Sequence, residues 1–275
     1  MKRNIGIIIV VLLLTVIIIN VYNYRTELFE TEKPQYDCII SINIHEKFNF
    51  LLKQLQNIRE NVFCKYAVIL NCNDFMFEEC LKRRSELPEN VYVHDKPLNK
   101  AHGYGSLTEG IYNNICYAMD HFNFEYFIVT SSRNMFTNEM KLEDLRRLKP
   151  YEDKRTWDEK VGDWVWPACA KTKLGKYYQE KGKNLYSTAH EGLVLTKKGC
   201  IKIIEFFDNN PEIKEDTFKI EFMMEELALQ TISMNNDEPI YYIGNGTQMD
   251  PIGKNDPNSN ELKFMYKVVR EGIRT

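Results

Sequence analysis

Short apolar segments alternate with amphipathic ones along this chain, and that alternation limits the folds open to it. Residues 37–44 form an apolar, β-rich segment, and residues 48–58 then carry apolar side chains at helical spacing. The same order recurs in a strand-like segment at 66–70, a helix-like segment at 75–87 and a short strand at 91–93. Strands that alternate with helices pair in parallel and are covered on both faces. The sequence therefore predicts an α/β domain with a mostly parallel central sheet.

Similar segments follow in the second half of the chain. Ser106 and Glu109 form a capping-box pattern, which predicts a helix up to about Phe122. Residues 151–188 have no clear periodicity and contain all three tryptophans, so we expect a long functional loop there. The other predicted elements are strands at 126–130, 192–195 and 240–243, and helices at 197–207 and 222–234. Ligands of such sheets bind at the carboxyl ends of the strands, which directs the search for a site to the loops there.

The first residues predict a membrane anchor. Residues 5–22 are almost wholly apolar and about long enough to cross a bilayer. Residues 1–4 contain two basic side chains, which the positive-inside rule places in the cytosol. Residues 23–36 then read as a polar stem, and residues 37–275 as one domain in a Golgi-like or ER-like lumen, giving a single-pass type II membrane protein. A cleaved signal peptide is the alternative, although the bulky polar residues after the apolar run do not suit cleavage.

Charge and cysteine content exclude several functional classes. A net charge of −3 gives no support to nucleic-acid binding, which normally needs a basic stripe. Seven cysteines without a Cys-x-x-Cys motif do not support a zinc site or a thioredoxin motif, although some could pair in an oxidising lumen. Several, such as Cys38 and Cys116, lie in apolar patterns typical of buried small hydrophobes. The chain also lacks Asp-x-Asp, a pattern that holds divalent ions, so we expect no metal cofactor.

Three segments, taken in order, resemble the core-2/I-branching N-acetylglucosaminyltransferase and peptide xylosyltransferase family. They are the strand and helix at 39–55, the His-Gly-Tyr-Gly-Ser-Leu-Thr-Glu segment at 102–109, and the Phe-Glu-Tyr-Phe-Ile-Val-Thr-Ser-Ser segment at 124–132. The likeness covers most of residues 37–270. It implies a GT-A-like, nucleotide-sugar-binding α/β sandwich. It also implies inverting transfer of a sugar from a UDP-sugar donor to a hydroxyl group of a glycan or glycoprotein.

The resemblance also implies site residues. Glu226, in a Glu-Glu-Leu-Ala segment, matches the catalytic base of the family, and Lys267, in a Phe-Met-Tyr-Lys-Val segment, matches a lysine that contacts the diphosphate. Asn71 and Arg133 stand where the family has aspartates, so donor recognition by these two residues would differ. Two ordinary explanations stay open. Acidic residues stabilise the start of any helix, and any basic tail helix supplies lysines.

Three more residues are candidates for substrate binding. His45 ends the first predicted strand, where a nucleotide could pass, and Glu191 precedes the strand at 192–195 as an acceptor ligand or rival base. Trp166 could stack on a sugar ring. A helix cap, a strand-edge charge and lid packing are their respective alternatives.

The sequence thus predicts a membrane-anchored, inverting, metal-independent glycosyltransferase. Its partners would be a nucleotide-sugar donor, a glycan or glycoprotein acceptor and the lipid bilayer around the anchor. The missing aspartates leave open a non-catalytic lumenal protein that binds glycans or a partner enzyme on a transferase scaffold. A metal-dependent enzyme is a third possibility.

Overall fold

The structure is a computed structural model that describes residues 33–44, 46–100, 105–151, 154–155, 171–221, 223–244 and 265–267. The chain divides into two compact units, Met1–Gln35 and Tyr36–Thr275, and every element below belongs to the second. Its strands are β1 (Cys38–Ile44), β2 (Tyr66–Cys72), β3 (Val91–Val93), β4 (Tyr126–Ser131), β5 (Asn134–Phe136), β6 (Lys154–Arg155), β7 (Leu185–Tyr186), β8 (Leu193–Thr196), β9 (Ile240–Tyr242) and β10 (Met265–Lys267).

A six-stranded sheet lies at the centre, in the order β3-β2-β1-β4-β8-β9. Strands β1 to β4 are parallel to one another, whereas β8 runs antiparallel to both β4 and β9. Two small antiparallel sheets, β5 with β10 and β6 with β7, complete the strand pairing of the described residues. The prediction of an α/β domain with a mostly parallel sheet is confirmed.

Helices cover both faces of this sheet. They are α1 (Phe48–Asn61), α2 (Asp74–Lys82), α3 (Ser106–His121), α4 (Leu142–Arg147), α5 (Lys173–Glu180), α6 (Lys197–Asn209), α7 (Pro211–Lys219) and α8 (Ala228–Asn235). Side chains alternate along each strand, so Ile39 and Ile69 pack under α3 while Ile40 and Leu70 pack under α1. All seven residues of β1 are buried, as a strand covered on both faces requires.

Three predicted elements differ from the structure. The capping box is wrong, because α3 has Gly105 as its N-cap and Ser106 lies inside the first turn, without a side-chain cap. The helix predicted over 222–234 is a 3-10 turn, Met224–Glu226, followed by α8. The loop predicted over 151–188 contains α5 and β7 in its described part.

The membrane anchor predicted at 5–22 lies outside the described residues. Within the residues that are described, no helix combines the length and the apolar character needed to span a bilayer.

Candidate functional site

Polar side chains line the carboxyl edge of the three central parallel strands. Asn43 on β1 is paired in register with Asn71 on β2 and with Ser131 on β4. All three residues are buried, with at most 9% of their surface exposed. Apart from Ser41 and Thr130, the buried residues before this level of the strands are apolar or aromatic, so the row of two amides and a hydroxyl marks the edge at which ligands of parallel sheets bind.

A partly buried lysine, Lys100, holds Asn71 in place. Its Nζ atom donates to the main-chain oxygen of Asn71 at 3.1 Å, to Oδ1 of the same residue at 2.6 Å and to the main-chain oxygen of Leu98 at 2.9 Å. The ammonium group uses one lone pair of Oδ1, and the Nδ2 group of Asn71 is left as a donor. The sequence prediction placed Asn71 at this edge correctly but missed Lys100.

Asn43 and Asn71 present complementary polar atoms. Asn43 donates through Nδ2 to the main-chain oxygen of Leu107 at 3.0 Å. Its Oδ1 and the Nδ2 of Asn71 are buried without a hydrogen-bond partner among the groups that the structure describes. An acceptor and a donor therefore stand on adjacent strands at the same level, and leaving both unpaired would be costly.

The start of α3 closes over these residues because of one glycine. A Cβ atom on Gly110 would lie 2.5 Å from Oδ1 of Asn43 and 2.9 Å from Cδ of Lys100. Only glycine lets the helix approach this closely. The same turn carries Glu109, whose pKa is raised by burial and lowered in part by Lys100 and by two lysines of α7, Lys214 and Lys219.

Burial has the opposite effect on Lys100, whose pKa it lowers to about 8 from an ordinary value of 10.5. The folded protein therefore releases a proton between pH 8 and pH 10.5 that the unfolded chain keeps, and unfolding becomes less favourable as the pH rises through this window.

We expect a Lys100→Met variant to lack this contribution. The free energy of unfolding of the unmodified protein should rise by roughly 2–3 kcal/mol relative to that of the variant between pH 7 and pH 10. Chemical denaturation of both proteins at several pH values measures the difference. A difference that stays constant with pH would contradict the assigned burial of Lys100.

The turn between β4 and β5 forms a second part of the site. The side chain of Gln54, on α1, donates to the main-chain oxygens of Ser131 at 2.7 Å and Asn134 at 3.0 Å. Asn134 in turn accepts from the main-chain nitrogen of Ser131 at 2.6 Å. Arg133, at the tip of this turn, lies 3.7 Å from a carboxylate oxygen of Glu46. Gln54 and Asn134 thus fix the turn that carries Arg133. No sequence pattern predicted a role for either residue.

The backbone of Lys267 lies next to the same turn. Strand β10 pairs antiparallel with β5, and residue 267 stands opposite Asn134. Met265 anchors the strand, since it is buried against the helix α1 side of the sheet. The predicted diphosphate lysine therefore belongs to a strand beside Arg133 and not to a helix.

Glu191 extends the edge on the other side of β4. The main-chain nitrogen of Gly192 donates to Val129 at 2.9 Å, which places Glu191 beside the end of β4. Glu191 is 8% exposed, and one of its carboxylate oxygens lies 3.4 Å from Nδ1 of His190. A carboxylate and an imidazole therefore adjoin within the site.

The two consecutive glutamates lie in a turn fixed from both sides. Glu225 is buried and Glu226 is half-buried. The side chain of Gln230 donates to the main-chain oxygens of Glu225 at 3.0 Å and Thr188 at 3.3 Å, and the nitrogen of Thr188 donates to Glu226 at 3.2 Å. Glu226 precedes the N-cap of α8, Leu227, and is not in the first helical turn that the sequence predicted.

A short segment of chain connects the main chain of Glu226 to the sheet edge. Thr188, which contacts its main chain, is three residues from Glu191, a separation of at most about 11 Å. The 3-10 turn also packs against α3, whose first turn covers Asn43. His45 and Trp166 lie outside the described residues.

Over the described ranges, no group of three or more histidine, cysteine, aspartate or glutamate side chains is placed to hold a metal ion.

The comparisons with protein-family models and with curated proteins identify no relative of this chain. None of the protein-family models matches the chain, and none of the curated proteins matches it significantly.

Proposed function

We propose that this chain is a membrane-anchored inverting glycosyltransferase with a GT-A-like sandwich, which moves a sugar from a UDP-sugar to a hydroxyl group of a glycan or protein. The observation that carries the proposal is the grouping of Asn71, Arg133, Glu191 and the strand of Lys267 at one edge of a parallel sheet. Carboxylates and cations side by side are what a proton transfer and an anionic leaving group require.

Each step has a residue of suitable chemistry. Glu226 takes the proton of the acceptor hydroxyl while that oxygen forms a bond to the anomeric carbon of the donor. The bond from this carbon to the diphosphate breaks on the opposite face, and UDP leaves with the electron pair. Arg133 and Lys267 supply positive charge for the diphosphate, the role that a metal ion fills in other transferases. Asn71 contributes an amide donor toward the nucleotide.

The corresponding location is the lumenal side of a membrane, with residues 5–22 as the anchor. His45 and Trp166 remain proposed contacts to the nucleotide and to the acceptor sugar.

A test uses the full chain in detergent with a panel of nucleotide sugars and measures release of the nucleoside diphosphate. We expect turnover of a UDP-sugar that is unchanged by EDTA, because cations of the chain replace the metal. Activity that disappears in EDTA and returns with Mn²⁺ would contradict the metal-independent mechanism.

One observation favours a second candidate, a non-catalytic lumenal protein that binds glycans or a partner. Asn71 stands where the resemblance implies an aspartate, and its carbonyl oxygen already accepts from Lys100 at 2.6 Å, so this position offers a nucleotide a weaker acceptor than a free carboxylate would. Calorimetry separates the two candidates. Glycan binding without any UDP binding supports the second, and UDP binding supports the transferase.

A further inference from the structure

Strand β2 has a pair of cysteines in contact at each of its ends. At its start, Sγ of Cys64 lies 3.5 Å from Sγ of Cys38, the first residue of β1. At its finish, Sγ of Cys72 lies 4.0 Å from Sγ of Cys80 on α2. Four of the six cysteines in the described part of the chain thus form two pairs, and no cysteine belongs to both pairs.

We propose that Cys38–Cys64 and Cys72–Cys80 form two disulfide bonds when the protein folds in an oxidising compartment. Sulfur atoms in van der Waals contact need to approach by less than 2 Å to reach the bond length of about 2.05 Å, a movement within reach of side-chain rotation. The pairing rests on geometry and does not require the proposed activity.

Chance packing of small hydrophobic side chains is the competing explanation. Buried cysteines often fill cores as thiols, and Cys38, Cys72 and Cys80 are fully buried. The two contacts, however, lie at the two ends of one strand: Cys64, two residues before β2, meets β1, and Cys72, the last residue of β2, meets α2.

In the folded protein, the surroundings of Cys72 and Cys80 shift the pKa values of their thiols in opposite directions. A hydrogen bond from the Cys72 thiol lowers the pKa of Cys80, and the nearby Arg84 lowers it further. The same hydrogen bond, together with burial, raises the pKa of Cys72. In the folded protein, Cys80 is therefore the more acidic thiol of this pair.

The oxidant is a small or protein disulfide of the secretory pathway, such as oxidised glutathione. The thiolate of either cysteine attacks one sulfur of the oxidant, giving a mixed disulfide and one reduced thiol. The sulfur of the other cysteine, after losing its proton, then attacks the protein sulfur of the mixed disulfide and displaces the second reduced thiol. Two protons and two electrons leave the protein, and the oxidant takes up both. Because both sulfurs are buried in the folded protein, the exchange takes place before α2 packs onto the sheet.

A disulfide bond between Cys72 and Cys80 would also help to fix the position of Asn71 in the candidate site. Cys72 directly follows Asn71, so a bond to Cys80 ties the carboxyl end of β2 to α2. The position of Asn71 would then be fixed by Lys100 on one side and by a covalent link on the other.

A differential labelling experiment tests the pairing. The full chain with Cys169→Ser, which removes the cysteine outside the described residues, is folded in detergent with a mixture of reduced and oxidised glutathione. It is denatured with N-ethylmaleimide, reduced, and labelled again with deuterated N-ethylmaleimide. We expect the second label on all four paired cysteines and the first label on Cys116 and Cys200. A digest without reduction should contain the two cross-linked peptides.

Single substitutions provide the controls. In Cys80→Ser, Cys72 should move to the first label while Cys38 and Cys64 keep the second, and Cys116→Ser should change neither pair. The first label on all four cysteines of the unsubstituted pairs, or a bond that links one pair to the other, would overturn the proposal. Neither result depends on sugar transfer, so a failure here is distinct from a failure of the proposed function.

Discussion

Replacing Glu226 by glutamine is expected to lower kcat for sugar transfer by roughly 10³-fold, since a positioned general base contributes about 10²–10⁴-fold. Glutamine keeps the size of the side chain but cannot take up the proton of the acceptor hydroxyl. The main chain at this position is held by Thr188 and the turn by Gln230, so the substitution should leave the fold intact. Steady-state kinetics with the preferred nucleotide sugar measure the loss.

The matched control is Glu191→Gln, because Glu191 is the rival carboxylate at the same edge. We expect this variant to retain most of its kcat and to change mainly the KM for the acceptor. Calorimetry should show unchanged UDP binding by both variants, which separates a lost base from a misfolded site. Full activity of Glu226→Gln, or a larger loss in Glu191→Gln, would move the base away from Glu226.

The central strands could be predicted from the sequence because burial on both faces gives them continuous apolar runs. The predicted strand at 66–70 appears as β2, which extends two residues further, to Cys72. Asn71 and Cys72 continue the ladder with β1 although Asn71 is polar, since its main chain still pairs in register. Hydrophobic patterns locate such strands well and place their polar ends less well.

The helix predicted from Ser106 to about Phe122 appears as α3, but its N-cap could not be predicted because a distant contact decides it. A Cβ atom on Gly105 would lie 1.9 Å from the main-chain oxygen of Thr217, and the nitrogen of Gly105 donates to Ile220. This close approach to α7 sets the backbone of Gly105 near helical angles, so the glycine becomes the N-cap and Ser106 falls inside the helix. The local capping pattern of the sequence contains no information about that contact.

The candidate site was only partly predictable for a similar reason. Asn71, Arg133 and Glu191 follow or precede apolar strands. The parallel register of β2, β1 and β4 and the antiparallel pairing of β8 with β4 then bring them to one edge. Lys100 and Gln54 position their neighbours through main-chain carbonyl groups that are 29 and 77 residues away in sequence. Because every residue type has such a carbonyl group, no sequence motif predicts these contacts.

Gly192→Ala is expected to lower the free energy of unfolding by roughly 4 kcal/mol, a value typical of backbone strain combined with a buried clash. Gly192 has a φ angle of 98°, which L side chains rarely adopt. A Cβ atom there would also lie 2.4 Å from the nitrogen of Gly244. Neither backbone can retreat easily, because the nitrogen of Gly192 donates to Val129 and its oxygen accepts from Ile243, both at 2.9 Å.

Gly182→Ala separates the two causes. Gly182 also has a positive φ angle, 61°, but an added Cβ atom would meet no atom within 4 Å. Its cost should therefore be the conformational one alone, roughly 1 kcal/mol. Chemical denaturation of both variants gives the difference between them. Equal losses would mean that the sheet can open between β8 and β9 at no cost. Glu191, whose position depends on the same backbone, would then lose its fixed place at the edge.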